Sequence, residues 1–337
     1  MIDLGTSYLG LSLKNPLAPS ASPLSRSLDD ARRLEDAGAA ALVMYSLFEE
    51  ELRTEDAMLE RFLVEQSLGH AEATGFMPAP LNYRSSLDQY LEQIQALKGA
   101  LGIPVIASLN GVSLSGWVEL GTELQQAGAD ALELNVYYVA GNAGESGAEV
   151  EARYLDLLRA LRARVSLPIA MKLAPHFSSL PHFVRRLEDA GAQGVALFNR
   201  FYQPDIDLES LAVVDRLKLS TSADSLPAMR WLAILHGRTR LSLAATGGVH
   251  TAEDALKMLL AGADVVHMAS ALLQHGAGRL AEVLQGIEAW MEAREYASVS
   301  QLKGSLSQRH QHDPSVFARE SYIRVLDSFT PPGSTRR

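Results

Sequence analysis

The residues of this chain that could do chemistry share one setting: each closes a short apolar run of strand length. Asn135 closes ALELN, Lys172 stands near the end of IAMKL, and Asn199-Arg200 follow GVALF. Gly247-Gly248 follow LAAT, and Ala269-Ser270 follow VVHM. Ser20-Ala21, Tyr45-Ser46 and Asn110 end three further runs. A lysine inside an apolar run is costly unless it meets an anion, an electron-rich acceptor or a structural ion-pair partner. Amides such as Asn135 and Asn199 both donate and accept, so they can grip a heterocycle that presents N–H and C=O edges, or simply tie down a loop. A glycine pair lets backbone N–H groups approach a phosphate closely, and small residues at the next strand end would leave room for it. Taken alone, the glycines could merely turn the chain.

The elements that must position these residues repeat along the chain. LEDAGAAALVMYS (34–46), LQQAGADALELNV (124–136), LEDAGAQGVALFN (187–199) and LLAGADVVHMAS (259–270) share one form. Each is the end of an amphipathic helix, an Ala-Gly-Ala step that can close it with a left-handed glycine, and a strand-length apolar run. Runs without polar alternation suit parallel strands buried on both faces. NPLAPSA (15–21), IPVIASLN (103–110), LPIAMKL (167–173) and RLSLAATGGV (240–249) supply four more strands. Ile103 and Leu167 precede proline, which favours extended backbone. Amphipathic helices are expected over 27–38, 86–101 and 148–165. Eight alternating units over roughly 250 residues predict a (β/α)8 TIM barrel, an α/β fold with its functional site at the C-terminal strand ends. A doubly wound open sheet is the alternative. The barrel is expected over 1–305 as a single domain with an enlarged loop after the second strand, Phe48 to Asn82, and a C-terminal helical tail with a disordered end over 306–337.

Composition narrows the functions. Of 337 residues, 47% are apolar and 21% charged, ordinary for a globular protein. Forty acids against 30 bases give a net charge of −10, which argues against phosphate-neutralising contact with nucleic acid and against an anionic membrane surface. Cysteine is absent, which removes disulfides, thiolate metal sites and thiol nucleophiles; no metal site is expected. No apolar run of the ~18 residues that a span requires is present, and no signal peptide is apparent, so a cytoplasmic location is expected.

Read in order, NPLAPSAS, LELNV, AMKLAP, FN and ATGGV with VVHMAS resemble the dihydroorotate dehydrogenase family of FMN-dependent barrels over about 1–305. The resemblance implies that Gly247, Gly248, Ala269 and Ser270 hold the FMN phosphate. It places Lys172 near the flavin pyrimidine end, where a positive charge stabilises the reduced anionic flavin. Ser20, Ala21 and Asn110 would contact the flavin, Asn135 flavin and substrate, and Asn199 the substrate. Arg200 stands where the family has Ser or Thr, and could pair with a substrate carboxylate. Where the family carries its Cys or Ser base, this chain has Tyr138, followed by Val139-Ala140 in place of Pro-Asn. A tyrosine base would need a nearby cation to lower a pKa of about 10, and Lys172 or Arg200 could serve; alternatively, Tyr137 and Tyr138 pack over the mouth. The family's second-strand lysine falls at Met44, and its asparagine-bearing substrate loop has no clean counterpart, with Asn82 in APLNY the candidate. The expectation is therefore an FMN-dependent oxidoreductase of dihydroorotate dehydrogenase type on a small-molecule substrate, either dihydroorotate or an altered one. It is also expected to be a homodimer, and a redox partner protein is its candidate partner. Its alternatives are a flavin-binding barrel that has lost dehydrogenation and serves as a subunit or binding module, and a sugar-phosphate barrel without flavin.

Overall fold

The computed structural model describes residues 2–55, 57–58, 84–111, 117–200, 202–317 and 321–328. Its centre is a single sheet of eight parallel strands: β1 (Leu17–Pro19), β2 (Leu42–Phe48), β3 (Val105–Asn110), β4 (Ala131–Asn135), β5 (Ile169–Leu173), β6 (Gly194–Leu197), β7 (Ser242–Thr246) and β8 (Val265–Met268). Neighbours run in chain order from β2 to β8, and β8 pairs with β1. The Ala40 N–H donates to the Leu17 carbonyl at 2.9 Å, joining the edge beside β2 to β1. This is the expected (β/α)8 barrel.

The repeat is built as its residues dictate. Gly38, Gly128, Gly191 and Gly262 all take positive φ, from 100° to 127°, and release the chain from helix to strand within a few residues. Hydroxyl caps start the intervening helices. Ser85, Ser146 and Thr251 each accept the backbone N–H three residues on and receive a carboxylate in return, from Asp88, Glu149 and Asp254. The helices run over Leu28–Asp36, Ser86–Ala100 and Gly147–Arg162, close to the expected spans.

Side chains alternate between two layers. Outward ones pack under the helices as the main core, which holds Met44, Leu132, Leu134, Met171 and Leu197. Inward ones at the lower strand ends are small: Ala18, Ala41, Ala131, Ala170, Ala196 and Ala244. The space they leave is filled by Tyr8, Leu9 and Leu13, carried by an antiparallel hairpin of Thr6–Tyr8 and Leu11–Leu13 that the sequence reading did not anticipate. The barrel is thus plugged from below, and polar inward residues begin one layer higher. A second unanticipated hairpin, Asp205–Asp207 with Ala212–Val214, rises after β6. Residues 49–55 of the enlarged segment are helical. The rest of it up to 83, including Asn82, lies outside the described residues except for 57–58, as do 329–337 of the expected disordered end.

Candidate active site

A cavity of about 390 Å³ opens at the C-terminal strand ends. One wall is made after β7 and β8. Gly247 and Gly248 line it with φ of 90° and 74°. A Cβ on Gly247 would meet nothing within 4 Å, whereas one on Gly248 would strike the Ser225 backbone nitrogen at 2.3 Å. The first glycine therefore leaves an open concavity, and the second lets the 222–225 turn close against the loop. Ala269 and Ser270 complete this wall, with the Ser270 hydroxyl accepting the Ser220 N–H at 3.1 Å.

The opposite side gathers the amides. Asn110 and Asn135 stand opposite one another in the β3–β4 register, one step above Ser108 and Glu133. Asn199 donates from Nδ2 to Oδ1 of Asn135 at 2.7 Å, so two of the expected substrate amides form one unit. Their strand ends are fixed from the helix layer. The Tyr154 hydroxyl donates to the Val136 carbonyl at 3.1 Å. The Tyr90 hydroxyl donates to the Ser108 carbonyl and accepts the Ser108 N–H, at 3.2 and 2.9 Å, beside a register shift in β2 between Val43 and Ser46.

That shift decides what β2 presents. Met44 is fully buried in the outer core, and Tyr45 and Ser46 face the cavity instead. The Arg26 guanidinium lies 4.6 Å from the centre of the Tyr45 ring, within the range of a favourable cation–π contact, and also lines the cavity. Arg26 is held by its neighbour Ser25, whose hydroxyl accepts the Tyr45 N–H at 2.6 Å and whose carbonyl accepts Gln93 Nε2 at 2.9 Å. Arg200 lines the other side of the mouth, with Asp224 at 3.6 Å.

The cavity floor is a polar layer just above the apolar plug. Lys172 Nζ is 3.1 Å from Glu133 Oε1 and 3.4 Å from Ser20 Oγ. His267, fully buried, has Nδ1 3.8 Å from Glu133 Oε2. Burial drives its pKa down to about 4, against the pull of Glu133, so the ring is neutral near pH 7. Glu133 Oε2, both His267 nitrogens and the Tyr8 hydroxyl have no hydrogen-bond partner among the described residues. Burial, followed by the Glu133 charge, holds the Tyr8 phenol well above its usual range.

The structure therefore brings Ser20, Ala21, Asn110, Asn135, Lys172, Asn199, Arg200, Gly247, Gly248, Ala269 and Ser270 to one cavity. Tyr138 is not among its lining residues; Tyr137 is. The Tyr138 hydroxyl donates to Glu145, and the Arg153 guanidinium lies over its ring. The hydrogen bond to Glu145 raises the Tyr138 pKa, the direction opposite to what a base requires. Sequence reasoning missed Glu133, His267 and Arg26, while the strand-end pair Tyr45-Ser46 does reach the cavity. For the first two a signal existed: a charged or imidazole group two positions from an inward strand end must itself face inward.

Arg26, Lys172 and Arg200 line the cavity, and among the described residues the lining includes no carboxylate side chain; Glu133 lies behind Lys172 in the floor. Among the described residues no cluster of three His, Asp or Glu side chains is placed to hold a metal ion, and no helix is long and apolar enough to cross a membrane.

A ring of eight parallel strands, with a glycine-lined cavity at their C-terminal ends, defines an α/β barrel of the (β/α)8 class. More particularly, the chain belongs to the dihydroorotate dehydrogenase family, whose family model, described as dihydroorotate dehydrogenase, matches residues 4–291. It is 27% identical to the dihydroorotate dehydrogenase B (NAD(+)) catalytic subunit of Thermoplasma acidophilum, over 90% of this chain and 99% of that protein. It is 26% identical to a putative dihydroorotate dehydrogenase A (fumarate) of Aeropyrum pernix, over 90% and 97%. A third relative, the B-type catalytic subunit of Methanosarcina acetivorans, is 28% identical over 88% and 93%.

Proposed function

We propose that this protein is an FMN-dependent oxidoreductase of dihydroorotate dehydrogenase type, acting on a CH–CH bond of a small anionic substrate. The observation that carries the reading is the lining of the cavity: small residues and glycines at one end, the Asn135–Asn199 amide pair at the other, and Arg26 and Arg200 at the mouth. The residues present fit FMN. Gly247, Gly248, Ala269 and Ser270 would hold the phosphate through backbone N–H groups, with Gly247 leaving open space where any larger residue would intrude. Ser20, Ala21, Asn110, Asn135 and Lys172 would hold the ring system. FMN would supply the two-electron acceptor for hydride.

The chain's own part is binding and orientation. The Asn135–Asn199 pair offers a fixed donor–acceptor edge to a planar heterocycle. Arg26 and Arg200 at the two sides of the mouth can pair with a carboxylate. Tyr45, Phe48, Tyr137, Phe198 and Tyr202 give the cavity an aromatic lining against which a planar ring can pack.

A second reading is favoured by one observation. The Tyr138 hydroxyl is engaged by Glu145 away from the cavity, so the position matched to the family's base delivers no group to it. On this reading the barrel keeps its flavin but not the dehydrogenation. Under the first reading, electrons leave through a diffusible acceptor or a partner protein, because a chain without cysteine offers no thiolates for an iron–sulfur cluster. The homodimeric state and cytoplasmic location expected from the sequence belong to the same proposal, and sedimentation of the purified protein tests the former.

The deciding experiment is reconstitution with FMN followed by anaerobic mixing with dihydroorotate. Bound flavin that bleaches supports the dehydrogenase. Bound flavin that stays oxidised supports the second reading. Failure to take up FMN at all overturns both.

A further inference from the structure

Lys172 is not a free cation. Its side chain is 8% exposed and that of Glu133 is 1% exposed, with 3.1 Å between Nζ and Oε1. The β4–β5 register sets Asn135 beside Lys172 and Glu133 beside Ala170, so the carboxylate sits one pleat below the ammonium on the same inner face. The other groups facing this carboxylate do not balance its charge. His267 is neutral, the Tyr8 and Tyr90 phenols are protonated, and Ser20 offers only a hydroxyl to the lysine. Arg26 and Arg200 belong to the cavity mouth, and Arg200 already has Asp224.

We propose that Glu133 is a positioning residue that fixes Lys172 beneath the cavity and cancels its charge, so that the floor offers a neutral ion pair rather than a bare cation to the redox group above it. The inference rests on the FMN reading. A bare buried ammonium would strongly favour any group that gains negative charge on reduction, because the interior screens poorly. A paired one favours it less and holds the potential low. Glu133 also explains why a lysine can be kept so deep: an unpaired buried charge is expensive, whereas a paired one keeps its position.

The test uses four full-length proteins reconstituted with FMN: wild type, Glu133→Gln, Lys172→Met and the double variant. The readouts are the flavin midpoint potential and the affinity for sulfite, which adds at flavin N5 and is favoured by nearby positive charge. Glu133→Gln is expected to shift the two-electron equilibrium about ten- to hundredfold towards the reduced form, ~30–60 mV upward, and to tighten sulfite binding. In the Lys172→Met background the same substitution is expected to change neither. Glu133→Asp, which restores the carboxylate, is expected to return the potential towards wild type, and it carries the test if Glu133→Gln does not fold. An unchanged potential in Glu133→Gln overturns the inference, as does an equal shift with and without Lys172. Urea unfolding of the same four proteins without cofactor reads the pair independently. Strong coupling is expected, with the double variant less destabilised than the sum of the singles, and additivity would overturn the positioning role. If wild type takes up no FMN, the cofactor reading and the potential-setting role fall together, while the unfolding cycle still decides whether Glu133 holds Lys172.

Discussion

Ala269→Asp places a carboxylate in the proposed phosphate cradle without disturbing its backbone. Gly248 is the wrong residue for this test. Its φ is 74° and a Cβ there meets the Ser225 backbone at 2.3 Å, so any substitution would damage the turn whether or not a ligand binds. Ala269 already carries a Cβ, has φ of −136° and lines the same wall. For a separation of ~5 Å between an added carboxylate and a bound phosphate, the scale of one side chain against a neighbouring group, Coulomb's law gives ~1–3 kcal/mol of repulsion per pair of unit charges, for an effective dielectric constant between about 80 and 20. That is roughly a 5- to 150-fold loss of FMN affinity. The assay is titration of apoprotein with FMN, followed by quenching of flavin fluorescence, at low and high salt. Riboflavin, which lacks the phosphate, is the control. The variant is expected to weaken FMN and to leave riboflavin nearly unchanged, with the FMN penalty shrinking at high salt as screening increases. Unaltered FMN affinity in a folded variant, or equal losses for FMN and riboflavin, would refute the placement of the phosphate.

Tyr138→Phe is expected to leave FMN affinity and any flavin bleaching rate within about twofold of wild type, since the lost hydroxyl bonds to Glu145 outside the cavity; a loss of ~10²-fold or more, the scale of a missing general base, would show that the phenol reaches substrate. Tyr90→Phe removes the partner of both Ser108 backbone groups and should cost ~1–3 kcal/mol in urea unfolding with an unchanged slope, and a cost near zero would mean that these groups find other partners. Burial lowers the His267 pKa from 6.5 to about 4, so between these values the unfolded chain binds a proton that the native one refuses, and stability falls on acidification. This contribution is at most ~3 kcal/mol. His267→Gln should flatten the wild-type loss over that interval, and parallel curves for the two proteins would contradict a buried neutral imidazole.

What was legible in this sequence is what repetition and chain chemistry make local. The Ala-Gly-Ala steps predict where helices end because the glycine must turn left-handed, and all four do so at positive φ. The strand-end residues could be assembled into one cavity without coordinates, because the barrel topology carries every parallel strand end to the same face. What was not legible depends on side-chain direction at irregular points. A register shift within β2 turns Met44 outward and sets the next two strand-end residues, Tyr45 and Ser46, both at the cavity, and nothing in MYS announces which of the three faces in. Just past β4 the strand rule lapses, so of two adjacent tyrosines the first lines the cavity and the second turns to Glu145. The floor was missed for the opposite reason. Glu133 and His267 obey the alternation, but in runs as apolar as ALELN and VVHM they read as interruptions rather than as inward-facing partners. The apolar plug beneath them, from the Tyr8 hairpin, shuts the barrel bottom. Water cannot solvate a charge there from below, so a lysine at position 172 requires a carboxylate within reach, and Glu133 is the residue that the inner-face alternation delivers to it.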